Sequence, residues 1–238
     1  MKTLILAGGL GTRLQAIVAD RPKPMAEVKG KPFLEYQIAA LRAQGFAEIV
    51  LCVGYRAEQI QEYFGDGRRW GVHIEYAVEK ELLGTAGAIR NAAPLITGTF
   101  LVWNGDSYLE LDLAALVHFH RQRRSSDSRT LGSIATVGVE DATAYGTLEL
   151  DKEGRILAFR EKSHAGAGYI NGGVYVLEPD ILAFIPAGRP VSLERETFPL
   201  ALASGWHLYG YPVQGFFVDI GTPEGYERFR GYTQEKGL

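Results

Sequence analysis

Apolar residues in the first half of the chain fall into short continuous runs that alternate with amphipathic segments. TLILA (3–7), EIVLCVGY (48–55), HIEYAVE (73–79) and TFLVWNGD (99–106) have strand length. FLEYQIAALRAQG (33–45), AEQIQEYFG (57–65), TAGAIRNAAPLI (85–96) and LAALVHFHRQRR (113–124) carry apolar residues at helical spacing, and the first two close on Gly45 and Gly65. Strand–helix alternation predicts a parallel sheet with helices on both faces. Ligands of such a sheet sit outside the carboxyl ends of its strands.

Beyond residue 130 the pattern changes. SIATVGV (133–139), GTLELD (146–151), ILAFREK (156–162) and GGVYVLE (172–178) read as strands with little helix between them, and LDKEGRI is a hairpin signal with Gly154 in its turn. SLERETFPLALASG (192–205) reads as a helix and GFFVDIG (215–221) as a last strand. TPEGYERFRGYTQ (222–234) reads as a terminal helix, capped by Thr222 with Pro223 in its first position. No linker, low-complexity tract or hexapeptide repeat interrupts the chain. The expectation is one α/β domain over 1–238: a Rossmann-like α/β/α fold with a mixed, mostly parallel sheet, a smaller β-rich lobe and no β-helix.

A chain of 238 residues can bury a core without staples. Its net charge of −3 gives no electrostatic reason to expect nucleic acid or an anionic membrane as partner. The single cysteine, Cys52, lies inside an apolar run and reads as a core residue; with no internal disulfide available, a reducing compartment is expected. MKTLILAGG starts a strand at once with no signal-peptide pattern, and no segment approaches the roughly 20 apolar residues of a membrane span. The expected location is the cytoplasm.

The candidate chemistry starts at LAGGLGTRL (6–14). Gly8, Gly9 and Gly11 after the first strand let backbone N–H groups approach an anion, and Arg13 adds a charged fork for phosphate. A Walker A loop would need Gly-Lys-Ser/Thr, and the dinucleotide fingerprint does not fit either. Lys23 stands between two prolines in RPKPM, on stiff backbone that favours a phosphate contact. Asp106 and Asp219 each follow an apolar run at a strand's polar exit. Two such aspartates on one sheet edge could share a Mg²⁺ above substrate phosphates.

LAGGLGTRL, PKPM, LGTAGAI, NGD, FREK, NGGVYVLE and DIGTPEGY occur together in the order and spacing of sugar-1-phosphate nucleotidyltransferases. The resemblance covers residue 2 to about 230 and is strongest toward the D-glycero-α-D-manno-heptose 1-phosphate and mannose-1-phosphate guanylyltransferases. It implies Mg²⁺-dependent transfer of a nucleoside monophosphate from an NTP to a sugar 1-phosphate, with residues 1–130 mainly holding nucleotide and 131–238 mainly sugar phosphate. By that resemblance Arg13 faces the leaving phosphates, Lys23 is the second signature lysine, and Asp106 and Asp219 hold the metal. Leu6, Ala7, Gly8, Gly9, Gly11, Thr12, Glu79, Gly84 and Thr85 would surround the nucleotide. Asn104, Gly146, Glu161, Lys162, Asn171, Gly172 and Glu194 would surround the sugar phosphate. A phosphate nucleophile is largely dianionic near neutrality and needs no general base.

Glu79 aligns with a glutamine that reads a pyrimidine in thymidylyl and uridylyl relatives. A carboxylate only accepts hydrogen bonds, and guanine offers adjacent N1–H and N2–H₂ donors. That pairing favours GTP, with a uridylyl- or thymidylyltransferase acting on another sugar 1-phosphate as the rival within the enzyme class. The pair His118 and His120 cannot face one metal from a helix, RQRR (121–124) reads as a solvated helix end, and Trp70 and Trp103 read as packing residues. Relatives are often dimers, and no exposed stripe marks a dimer face. A competing class is a regulatory subunit that retains the fold without the chemistry.

Overall fold

The computed structural model describes residues 1–9, 21–143, 145–160 and 166–238. Arg13, Gly11, Thr12, Glu161 and Lys162 lie outside the described residues. In chain order the elements are β1 (Thr3–Leu6), β2 (Glu27–Val28), β3 (Lys31–Pro32), α1 (Phe33–Ala43), β4 (Glu48–Val53), α2 (Ala57–Phe64), β5 (His73–Val78) and α3 (Gly84–Asn91). Then come β6 (Phe100–Asn104), β7 (Ser107–Leu109), α4 (Leu113–Ser126), β8 (Thr130–Val139), β9 (Thr147–Leu150), β10 (Ile156–Arg160) and β11 (Gly168–Leu177). The chain closes with α5 (Phe198–Ala203), β12 (His207–Val213), β13 (Phe217–Asp219) and α6 (Pro223–Lys236).

Among the described residues, nine strands form one mixed sheet. Its parallel part runs β6-β1-β4-β5, as the alternating first half predicts. β11 is the joint to the second half. Its Val174–Leu177 stretch pairs antiparallel with β6, its Tyr169–Ile170 stretch with β9, and its other edge with β8. The sheet alternation divides the core. Ile5, Leu51, Leu101, Trp103 and Val176 face α1, α2 and α4. Leu4, Val50, Cys52, Val102 and Tyr175 face α3 and α5. β1, β4, β6 and the Val174–Leu177 part of β11 are thus apolar on both faces, which is why their sequences read as continuous runs. Cys52 and Trp103 are core residues, and Trp70 packs on Phe64 at 4.9 Å between ring centroids.

Three elements differ from the sequence reading. HLYGYPV forms β12, parallel to β8 at the sheet edge, where Pro212 is tolerated. The segment read as one helix over 192–205 opens with a π-helical turn, Leu193–Thr197, before α5. Pro199 has no N–H to give the preceding turn, which removes one α-type hydrogen bond there. β13 is not part of the large sheet: it pairs antiparallel with β7, Asp219 opposite Ser107, in a separate ladder. The helix end at 121–124 is also less solvated than its charges suggest. The Arg123 guanidinium lies over Phe119 and Tyr209 and donates to the Glu153 carbonyl at 3.0 Å.

A third apolar cluster fastens α6. Phe229 is enclosed by Phe33, Tyr36 and Tyr108, with centroids at 4.8, 5.3 and 5.1 Å. Thr222 caps α6 by accepting from the Gly225 N–H at 3.1 Å, with Pro223 in the first turn. No helix among the described residues is long and apolar enough to cross a membrane.

Candidate active site

The carboxyl ends of β1, β5 and β6 open on a cavity of about 390 Å³. Leu6, Ala7, Gly8 and Gly9 line its floor as the chain leaves β1. Glu79, Gly84 and Thr85 line one side, and Lys23, Asn104 and Asp106 the other. Eight of the residues expected around a nucleotide or its phosphates are therefore lining residues of one cavity: Leu6, Ala7, Gly8, Gly9, Lys23, Glu79, Gly84 and Thr85.

Glu79 follows β5 and is 7% exposed. Burial raises its pKa above the usual carboxylate range, opposed by the Leu83 N–H, which donates to Oε2 at 2.9 Å. A methyl group on Gly8 would come within 2.6 Å of Glu79 Oε1, so a side chain there would have to displace this carboxylate. The N-terminal N–H groups of α3 are partly spent inside the protein: Ala86 N–H donates to the Val191 carbonyl at 2.9 Å.

Lys23 is 8% exposed and lies on a short 3-10 turn, Lys23–Met25, entered through Pro22. Its Nζ donates to Asp106 Oδ2 at 2.8 Å and lies 3.5 Å from Asp219 Oδ1. The two aspartates meet through the β7–β13 ladder rather than along the edge of the large sheet. Asp219 ends β13 opposite Ser107, and Asp106 directly precedes that serine. The Ile220 N–H donates to the Asp106 carbonyl at 2.9 Å and closes the ladder. Asp106 Oδ1 accepts from Ser107 Oγ at 3.2 Å and Asp219 Oδ1 from the Gly221 N–H at 2.6 Å.

A second cavity of about 340 Å³ lies over β9, β10 and β11 and is lined by Gly146, Arg160, Asn171 and Glu194, among others. Three residues expected at a sugar phosphate, Gly146, Asn171 and Glu194, are thus gathered here. Gly172 instead points into the sheet interior, where a methyl group would meet the Ala135 carbonyl and Leu109 at 2.9 Å. Asn104 lines the first cavity. Between the cavities stands Tyr175, fully buried, which sequence reasoning did not single out. Its hydroxyl donates to Glu194 Oε1 at 2.9 Å and accepts from Asn171 Nδ2 at 2.7 Å and Asn104 Nδ2 at 3.3 Å. The available signal was a tyrosine inside the aliphatic run VYVL, since a buried phenol usually finds a partner.

The family model described as nucleotidyl transferase matches residues 2–235. The chain belongs to the nucleotidyl transferase family. This nucleotidyl transferase is 40% identical over 228 residues to a mannose-1-phosphate guanylyltransferase of Mycobacterium tuberculosis, covering 94% of this chain and 62% of that protein. It spans less than two thirds of that relative's length. It is 37% identical over 232 residues to a D-glycero-alpha-D-manno-heptose 1-phosphate guanylyltransferase of Campylobacter jejuni, covering 96% of this chain and 98% of the relative. Among solved structures, HddC from Yersinia pseudotuberculosis superimposes with a TM-score of 0.84 at 34% identity, covering 97% of this chain and 98% of that one. The same protein complexed with GMP-PN gives a TM-score of 0.83.

The residues present fit a divalent cation. No group of three or more His, Cys, Asp or Glu side chains that could hold a metal exists among the described residues, so a cage made by protein alone is absent there. Two carboxylates do converge, and the Lys23 ammonium shows that one cation can contact both. Two carboxylates completed by substrate phosphate oxygens and water are the donor set Mg²⁺ prefers.

Proposed function

We propose that this nucleotidyl transferase moves GMP from GTP to a sugar 1-phosphate, with D-glycero-α-D-manno-heptose 1-phosphate as the favoured acceptor. The observation that carries the reading is the meeting of Lys23, Asp106 and Asp219 at the rim of a glycine-floored cavity, with an acceptor-sized cavity beside it. A phosphate oxygen of the sugar 1-phosphate attacks the α-phosphorus of GTP. The bond from that phosphorus to the bridging oxygen breaks, and pyrophosphate leaves with the electron pair. The products are a GDP-sugar and pyrophosphate.

Both reactants are anions, so the protein's work is positioning and charge neutralisation. The loop after β1 brings backbone against the triphosphate, and Lys23 supplies a positive charge at its edge. Asp106 and Asp219 would hold Mg²⁺, which offsets phosphate charge when bound. Glu79 supports guanine as the base, because its carboxylate can accept from N1–H and N2–H₂ together; a bidentate base contact is worth ~1–3 kcal/mol of discrimination. The names of the mycobacterial and campylobacter relatives and the GMP-PN complex of HddC point the same way. Arg13, Glu161 and Lys162 complete the reading as the expected contacts to the leaving phosphates, the sugar hydroxyls and the sugar phosphate.

The test is pyrophosphate release with Mg²⁺, crossing GTP, ATP, UTP and dTTP with heptose, mannose, glucose and N-acetylglucosamine 1-phosphates. Release confined to GTP and manno-configured acceptors is the expected result. Turnover with UTP or dTTP instead would leave the transfer chemistry and refute Glu79 as a guanine reader. Silence with every pair would favour the regulatory class.

A further inference from the structure

Glu194 carries an unusual number of donors for a residue beside a ligand cavity. Oε1 accepts from the Tyr175 hydroxyl at 2.9 Å and lies 3.4 Å from Asn171 Nδ2. Oε2 lies 3.2 Å from Ser192 Oγ and 3.4 Å from Thr85 Oγ1. An ionised carboxylate has about four acceptor sites, and four protein donors address this one. The Tyr175 bond is the short one, and the three longer approaches crowd the acceptor sites that a sugar's hydroxyls would need. Asn171 is committed as well: its Nδ2 faces Tyr175, and its Oδ1 accepts from the Gly173 N–H at 2.9 Å.

The four donors come from both sides of a wall. Thr85 belongs to the α3 N-terminus that lines the first cavity, and its Oγ1 also accepts from the Leu193 N–H at 2.8 Å. Asn171 lines the second cavity. Tyr175 joins these to Asn104, again on the first cavity. The Tyr175 hydroxyl cannot touch either ligand, because the residue is fully buried.

We propose that Glu194 and Tyr175 are positioning residues that hold Thr85, Asn104 and Asn171 across the wall between the nucleotide and acceptor cavities, and that Glu194 does not receive the acceptor's hydroxyls. The inference rests on the reading of the two cavities given under the proposed function. It differs from the expectation that Glu194 contacts the sugar, and the difference is measurable. A carboxylate that binds sugar affects the acceptor alone. A carboxylate that fixes the wall affects both sites.

Steady-state kinetics of Tyr175→Phe, Glu194→Gln and the double variant, with unfolding temperatures alongside, tests this. The expected result is that each single variant raises the KM for GTP and the KM for the sugar phosphate about five-fold or more. The double variant should exceed the worse single by no more than about two-fold, since both changes break one unit. Glu194→Gln raising the acceptor KM alone, with Tyr175→Phe unchanged, would overturn the inference in favour of direct contact. A fall in unfolding temperature with neither KM moved would also overturn it, leaving a purely structural network. If the wild-type chain turns over no substrate pair, the proposed function fails separately, and GTP titration calorimetry decides the positioning role. A GTP dissociation constant weakened about five-fold by Tyr175→Phe supports it, and an unchanged one overturns it.

Discussion

Replacing Gly84 with alanine tests the seam between α3 and the segment that precedes the π turn. Gly84 has φ of +70°, a region where a side chain costs roughly 1–2 kcal/mol. The new methyl carbon would also sit 2.6 Å from the Val191 carbonyl oxygen and 3.1 Å from its carbon. Those atoms are backbone and cannot swing aside. Val191 is held at both ends, its N–H donating to the Leu83 carbonyl at 2.8 Å and its own carbonyl accepting from Ala86 N–H at 2.9 Å. Relieving the collision means breaking or stretching both bonds, at about 0.5–1.5 kcal/mol each. The total is about 2–5 kcal/mol, which in a chain of this size lowers the unfolding temperature by roughly 4–20 °C. Gly188 is the control. Its φ is +78°, yet a methyl group there meets nothing within 4 Å, so Gly188→Ala bears only the conformational cost. Thermal unfolding followed by circular dichroism on both variants separates the two effects. Unfolding temperatures for Gly84→Ala and Gly188→Ala within about 2 °C of each other would refute the packing argument.

Asp106→Asn should keep the fold and lower pyrophosphate release at least about 100-fold, the scale of removing one electrostatic contributor in a phosphoryl-transfer site; a fully active variant would remove Asp106 from the charge-neutralising set. His120 is buried, with Nε2 3.0 Å from Glu178 Oε1 and Nδ1 3.1 Å from Ser133 Oγ. Burial holds its pKa below the ordinary value of about 6.5, with Glu178 opposing. The unfolded chain therefore binds the proton first, and the stability present above pH ~6.5 is lost as pH falls toward the lower folded value, by at most ~1.4 kcal/mol per pH unit. Denaturant titrations between pH 7.5 and 5.5 should show this slope in the wild type and a flatter one in His120→Gln; equal slopes would exclude His120 as the source. Phe229→Ala empties the centre of the cluster under α6 and should cost about 3–5 kcal/mol, read as a shifted urea midpoint at constant slope.

What the sequence made legible was local. β1, β4 and β6 were readable because a strand buried on both faces cannot hide its apolar run. The glycines after β1 and the prolines around Lys23 were readable because they are backbone signals. β12 was not, because His207, Gly210 and Pro212 break both alternation and continuity, while its pairing with β8 comes from the tertiary structure. Asp219 was visible as a carboxylate after FFV, but its partner strand β7 has three residues, too few to show a pattern. The Glu194 network was invisible for a different reason. Thr85, Asn104, Asn171 and Glu194 were each expected at a ligand, but Tyr175 and Ser192 were not, and nothing in the sequence pairs six positions spread from 85 to 194 with one another.

The two aspartates pose a physical problem that their mutual attraction to Lys23 does not solve. Two carboxylates that must stay together repel whenever the cation between them leaves, so their separation has to be fixed by something uncharged. Gln37 of α1, fully buried, donates from Nε2 to the Asn104 carbonyl at 2.9 Å and the Ser107 carbonyl at 2.8 Å. It therefore grips both ends of the turn that carries Asp106. The same helix contributes Phe33 and Tyr36 to the aromatic cluster that seats α6 beside β13 and Asp219. Helix α1 thus supports both carboxylates through apolar packing and neutral hydrogen bonds. Lys23 arrives on a turn stiffened by Pro22 and Pro24 and closed by the Met25 N–H donating to the Pro22 carbonyl at 2.8 Å. The carboxylates and the lysine thus meet around α1, whose Phe33 N–H donates to the Ala26 carbonyl just after the Lys23 turn at 2.8 Å. Neutral hydrogen bonds and apolar packing therefore set where the Lys23 ammonium and the two carboxylates converge.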